Sequence, residues 1–155
     1  MGLRNPGPDY HGTRHNVGEV VARALAGKAS FKRAPRRIAA EIAEVDIDSR
    51  TTVIALPTTF MNESGGPVKA LATFYKVPPA RIVAIHDEPD LPFGTMRTKL
   101  GGGDNGHNGL RSMRSSLGTG EFHRVRVGIG RPTGRQDVAE FVLSNYNAVE
   151  RKEIP

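Results

Sequence analysis

A single α/β domain is the fold that the sequence predicts, and three observations predict it. The 155 residues suffice for one domain with a real core. Runs that repeat every second residue alternate along the chain with runs at helical spacing. The apolar run Ile82-Val83-Ala84-Ile85 reads as a buried strand. A cluster of ionisable residues follows at once, where α/β folds place their ligand sites, past the carboxyl ends of strands.

The opening stretch, Met1 to Leu3, runs into Asn5-Pro6-Gly7-Pro8, a sharp reversal at a strand end. Val17, Val20, Val21, Ala24 and Leu25 then recur at the spacing of an amphipathic helix, with His15 at its entrance. Imidazole ordinarily titrates near pH 6.5, so a histidine held there has a lone pair for a proton from water. A plain polar loop histidine fits the same local sequence. Lys28 to Arg37, basic and broken by Pro35, reads as a surface connection. Ile38 to Ile47 alternates Ile38, Ala40 and Ile42 against Glu41, Glu44 and Asp46, turns at Asp48-Ser49-Arg50 and returns through Thr51 to Leu56, which predicts a hairpin. Pro57 ends it, and Val68, Leu71, Ala72 and Tyr75 mark a second helix. Asn62, just before that helix, fits an N-cap; it fits equally an amide aimed into a cleft walled by Phe60 and Met61.

Val77-Pro78-Pro79 closes the helix and the buried strand follows. His86-Asp87-Glu88-Pro89-Asp90-Leu91-Pro92 lies just beyond it. A carboxylate there could reach a histidine at a neighbouring strand end, fix its tautomer and stabilise its charged form; solvated turn acids read the same. Thr95 to Leu100 is a strand that delivers Lys99 into Gly101-Gly102-Gly103-Asp104-Asn105-Gly106-His107-Asn108-Gly109-Leu110, a loop that lets backbone approach a ligand. It fails as a nucleotide fingerprint, because no acid ends a second strand downstream and no Lys-Ser/Thr follows the last glycine. Leu110, Met113 and Leu117 give a third helix with Asn108 near its cap. Phe122 to Gly130 alternates Arg124 and Arg126 outward against Val125, Val127 and Ile129. Asp137 to Leu143 is a short helix that Asp137 could cap, and Asn147 to Pro155 is helix-favouring.

Glycine and proline number 18 and 11, below the roughly 25–30% that signals disorder. With no cysteine, disulfides and thiolate metal sites are excluded. No apolar run approaches the about 18 residues of a membrane span and no signal peptide precedes the first turn, so a soluble cytoplasmic protein is expected. A formal charge of +6 and a pI near 10.1 favour a polyanionic partner, nucleic acid first. Aromatics are only 6%, so contact with an RNA backbone is expected rather than a base-stacking platform.

The five histidines form no zinc signature: His11 and His15 are four apart, but Gly12 and the turn oppose a helix there and no Glu follows the first His. Gly-x-Ser-x-Gly is absent. What remains is a histidine base, nearby acids, loop asparagines and a basic strand, a set that suits direct attack of water on a labile bond without metal or cofactor. Four motifs in order then resemble one family: Asn5-Pro6-Gly7-Pro8-x-Tyr10-x-x-Thr13-Arg14-His15-Asn16-x-Gly18; Pro57-x-x-Phe60-Met61-Asn62-x-Ser64-Gly65; His86-Asp87-Glu88-x-Asp90-Leu91-Pro92; and Gly101-Gly102-Gly103-x-x-Gly106-His107-Asn108-Gly109-Leu110. They resemble the bacterial-type peptidyl-tRNA hydrolases, from Gly2 to about Tyr146.

The resemblance implies a mixed, twisted central sheet with helices on both faces, and hydrolysis of the ester joining peptide to tRNA. It implies His15 as general base, Asp87 to orient it, and Asn5 and Asn62 to hold the peptide end and the ester carbonyl. Tyr10, Met61, His107 and Asn108 would contact substrate, Lys99 and Arg126 the tRNA phosphates, with no metal, no cofactor and a monomer acting in translation. Members of the family carry a few more residues before Gly2 and a last helix beyond Pro155, so the first strand is expected to be short. Arg4, where small residues are usual, and Pro89 depart from the pattern. An inactive RNA-binding protein on the same fold is the alternative, and a phosphate-binding module built on the Gly101 loop a second.

Overall fold

The computed structural model describes residues 1–155. Two three-stranded sheets form first. In one, β1 (Lys32–Arg33) pairs antiparallel with β2 (Ala40–Ile47), which pairs antiparallel with β3 (Arg50–Pro57). Asp48 and Ser49, at φ 49° and 62°, make the left-handed two-residue turn that matches the twist of such a hairpin. In the other, β4 (Val83–Glu88) runs parallel to β6 (His123–Gly128), and β5 (Met96–Leu100) runs antiparallel to β6 on its far side.

Met1 to Leu3 join the two. Gly2 donates its N–H to Ala55 of β3 at 2.9 Å, while Leu3 N–H reaches the Ile85 carbonyl of β4 at 3.0 Å and Ile85 N–H reaches Met1 at 2.8 Å. Hydrogen bonding thus runs from β1 to β5 through a first strand as short as expected. The result is one mixed sheet.

Four α-helices flank it: α1 (Val17–Ala26), α2 (Gly65–Phe74), α3 (Asn108–Leu117) and α4 (Val138–Val142). In α1 the apolar stripe expected from Val17, Val20, Val21, Ala24 and Leu25 packs only in part: Val17 is buried and Val21 lies against the core, but Ala24 and Leu25 face solvent. Val17, Gly18, Ala22 and Ala26 are buried, whereas Leu25 is 51% exposed. The reason is close approach, since a β-carbon at Gly18 would collide with the carbonyls of Ile85 and Leu3. Small side chains let α1 lie almost on the sheet backbone. The core fills from both sides of the sheet, with Leu56, Ile85 and Ile129 against α1 and Leu3, Ile82 and Phe122 against α2 and α3.

Four local expectations change. The connection Lys28 to Arg37 contains β1, too short for periodicity to reveal. His86, Asp87 and Glu88 lie inside β4, because the parallel ladder with β6 continues to Glu88 opposite Gly128. Arg124 is not outward: it is 3% exposed, and its guanidinium takes the carbonyls of Gly102, Gly103 and Gly120. Neither Asn62 nor Asn108 caps a helix. Asn62 sits in a 3-10 turn, Met61–Glu63, and His107 caps α3.

Candidate active site

A cleft of about 910 Å³ opens where β4, the 3-10 turn Arg14–Asn16, the Met61 turn and the glycine-rich loop before α3 converge. Of the ten residues predicted from sequence, nine line it: Asn5, His15, Met61, Asn62, Asp87, Lys99, His107, Asn108 and Arg126. Tyr10 stands outside the lining. It sits on the turn leading away from Asn5 and packs edge-on against Phe60, ring centroids 6.1 Å apart.

Asp87 is the centre, 1% exposed. His15 Nδ1 lies 2.9 and 2.8 Å from its two oxygens, and His107 Nε2 lies 2.8 Å from Oδ1. The other nitrogen of His107 accepts N–H bonds from Gly109 at 3.1 Å and Leu110 at 3.3 Å. That assigns the tautomer: the His107 proton sits on Nε2 and points at the carboxylate. Burial works to raise the Asp87 pKa, but the two imidazoles overcome it and hold the acid well below the usual carboxylate range. His15 in turn donates from Nδ1, which leaves its Nε2 as an acceptor. Behind them, His86 donates from Nδ1 to the Asp87 carbonyl at 2.8 Å and leaves Nε2 buried without a partner. Burial first, then the neighbouring His107, pushes its pKa down to about 4, so it stays neutral at working pH. The Tyr146 phenol is pushed up by burial and by the charge of Asp87.

The carboxamides are arranged differently. Asn5 accepts the Met61 N–H through Oδ1 at 2.7 Å, so its amide nitrogen is the unspent end. Asn16 locks the Asn5 backbone on both sides, accepting its N–H at 2.9 Å and donating to its carbonyl at 2.8 Å. Asn62 and Asn108 are exposed and line the cleft, with no protein hydrogen bond from either side chain. Opposite them runs a ladder of cations: the β5–β6 register sets Arg97 against Arg126 and Lys99 against Arg124. Like charges directly opposite repel, and only Arg126 has an acid, Glu88 at 2.8 Å.

His15, Asp87 and His107 offer three ligand atoms within 4.8 Å of one another, the size of a cation site. The tautomer of His107 opposes that use. Its Nε2 would have to face the ion without a proton, yet its Nδ1 already meets two N–H donors.

Comparison with known proteins settles the family. The model of the family described as peptidyl-tRNA hydrolase matches residues 1–155. The chain belongs to the peptidyl-tRNA hydrolases. It is 54% identical to the peptidyl-tRNA hydrolase of Frankia alni over 155 residues, all of this chain and 79% of that protein. It is also 54% identical to that of Mycolicibacterium smegmatis over 156 residues, all of this chain and 82% of the relative. The crystal structure of the Acinetobacter baumannii peptidyl-tRNA hydrolase superposes with a TM-score of 0.89 at 37% identity, covering 98% of this chain and 78% of that one. The activity of this hydrolase is cleavage of the ester between peptide and tRNA. Its fold is the mixed sheet with flanking helices that the motifs implied, and nothing supports the inactive alternative.

Sequence reasoning missed several contributors to the cleft. Glu88 tempers the cations, Asn16 holds Asn5, and Val138, Ala139, Val142 and Leu143 of the α4 segment form an apolar wall. Asn16 and Glu88 stood inside quoted motifs, so only their partners were hidden. The α4 wall carried no local signal, because only tertiary placement turns it toward the cleft.

Proposed function

We propose that this hydrolase works through direct attack of water with His15 as general base. The observation that carries the proposal is His15 Nδ1 fixed on both oxygens of a buried Asp87, which leaves Nε2 to the cleft. Water gives its proton to Nε2, and the imidazolium that forms is stabilised by the ionised Asp87. The hydroxide adds to the ester carbonyl. The amide nitrogens of Asn5, Asn62 and Asn108 are donors for the oxyanion and the peptide backbone. Collapse breaks the bond to the ribose 3′ oxygen, which takes the proton back from Nε2. The peptide leaves as its carboxylic acid, which gives its proton to solvent, and tRNA leaves with its 3′ hydroxyl restored. An ester needs less activation than an amide, so one base and a few amides suffice.

His107, expected to touch substrate, spends both ring nitrogens on protein groups; we assign it the positioning of Asp87. Met61 forms the apolar floor beside Asn5, and Tyr10 with Phe60 flanks the approach. Arg97, Lys99 and Arg126 form the tRNA rim, with the phosphate backbone as their ligand. The reaction needs no metal or cofactor, in keeping with the tautomer of His107. A translational substrate suits a cytoplasmic enzyme, and a monomer is the state that the family resemblance implied. No helix is long and apolar enough to cross a membrane. Against the phosphate-binding alternative, the Gly109 and Leu110 N–H groups in the first turn of α3 are spent on His107.

The test compares hydrolysis of a peptidyl-tRNA by the native chain and by His15→Ala. A loss of about 100-fold or more is expected for removal of a general base; equal rates would remove His15 from the mechanism.

A further inference from the structure

The residue before His15 has no part in the chemistry above, yet it is among the most heavily bonded side chains in the molecule. Arg14 is 6% exposed. Its Nη1 donates to the Ser144 hydroxyl at 2.7 Å and the Asn145 carbonyl at 2.6 Å, with the Ser144 carbonyl at 3.3 Å, and Nη2 donates to Glu150 at 2.7 Å. The guanidinium lies 4.3 Å from the centre of the Phe141 ring and 5.2 Å from that of Tyr146. Its backbone N–H reaches Ser144 as well, at 3.1 Å. Five residues between 141 and 150 therefore fold around one cation.

What they hold in place is α4. That helix has five residues and none is buried, far below the length at which a helix is stable by itself. Its own cap is Asp137, which accepts from Ala139 at 3.3 Å, and the Ser144 hydroxyl closes its other end on the Phe141 carbonyl at 2.6 Å. Neither bond ties it to the sheet. Phe141 and Val142 touch the core from one side, and the rest of the tie is Arg14, on which the Phe141 ring rests and which gathers the carbonyls just after the helix. From that seat Val138, Ala139, Val142 and Leu143 face the cleft across from the cationic ladder.

We propose that Arg14 is a positioning residue for substrate binding: it holds the α4 segment as the apolar wall against which the uncharged end of peptidyl-tRNA, beyond its last phosphate, is bound. The inference deepens the assignment of this cleft and rests on it. Arginine is required because a planar fork both stacks on a ring and bonds several acceptors at once, which an ammonium does not.

The test measures kcat and KM for one peptidyl-tRNA at several salt concentrations, with hydrogen exchange of amides 138 to 146 measured on the same samples. For Arg14→Met, KM is expected to rise about tenfold and kcat to stay within about twofold, as for loss of uniform binding. The salt slope should be unchanged, since no phosphate contact is touched, and exchange should accelerate in 138–146 before the rest of the chain. Arg14→Lys should recover part of the loss. If Arg14→Met does not fold, Arg14→Lys and Glu150→Gln carry the same comparison with KM changes of about threefold. An unchanged KM in a folded variant with accelerated exchange overturns the role of the wall. A fall in kcat equal to the rise in KM overturns it too, because Arg14 would then serve His15. The exchange readout needs no catalysis, so failure of the mechanism itself, seen as an active His15→Ala, stays distinguishable.

Discussion

The cluster around Asp87 and the cationic ladder of β5 and β6 share one cleft and work by opposite physics. Around Asp87 nearly every polar atom is already bonded within the protein: two imidazoles on one carboxylate, two amides on His107, and the Asp87 carbonyl on His86. On the ladder Arg97, Lys99 and Arg126 face outward with one acid, Glu88, among them. The first region depends on where each proton sits and tolerates no change of shape or charge. The second depends on total charge, and tolerates exchange of one cation for another while remaining sensitive to salt.

Substitutions can break that contrast. The largest effect is expected from Asp87→Asn, which keeps the shape but removes the charge and turns an NH₂ toward one imidazole donor. Loss of about 1,000-fold in kcat is expected from a misassigned tautomer and an unstabilised imidazolium, with KM and salt slope little changed. A shift in salt slope as large as that from losing a ladder cation would merge the two regions into one.

Next is a pH effect on stability. His86 titrates near pH 4 in the fold and near 6.5 when unfolded, so between these values the unfolded chain binds a proton that the native chain refuses. Stability therefore falls as pH drops from about 6.5 to about 4, by about 3 kcal/mol, and this contribution is flat below. Asp87 acts with the same sign in a lower window: its folded pKa is depressed, so its contribution is complete above about pH 4 and is lost only on further acidification. Urea unfolding at pH 7 and pH 4.5 should show the drop, and His86→Gln should flatten it. An unchanged slope in His86→Gln would place the titrating group elsewhere.

The ladder gives the smallest effects. Lys99→Ala with Arg126→Ala should raise KM about tenfold at moderate salt and reduce the slope of log(kcat/KM) against log salt by one to two, about one per lost phosphate contact. The kcat should hold. Lys99→Arg should change KM by no more than about twofold; a loss as large as that from alanine would mean that geometry governs this wall too.

Much of this was legible before any coordinates. The hairpin, the buried strand and three helices follow from periodicity and from proline and glycine punctuation. Of the nine expected residues that line the cleft, seven stand in the four quoted motifs, and Lys99 and Arg126 came from the family resemblance alone. What stayed hidden is what only packing decides. The α1 face is only half legible: Val17 and Val21 pack as expected, but hydrophobicity also favours Leu25, which faces solvent, while at its closest approach the sheet admits residues as small as Gly18 and Ala22. Arg124 looked solvent-facing by alternation, but the loop carbonyls that receive it arrive from Gly102, Gly103 and Gly120. The caps expected at Asn62 and Asn108 went unused, leaving both amides free for the cleft.

Residues 1 to 3 bond to Ala55 on one side and Ile85 on the other, so they stitch together pieces whose own strands can pair without them. Such distant partners make loop closure costly, and contacts of that kind tend to form late in folding. Substitutions at Gly2 or Leu3 should then hasten unfolding more than they retard folding. Because Asn5 follows that stitch directly, the cleft receives its innermost amide only when the whole sheet has closed, and a partly folded chain has no competent hydrolytic centre.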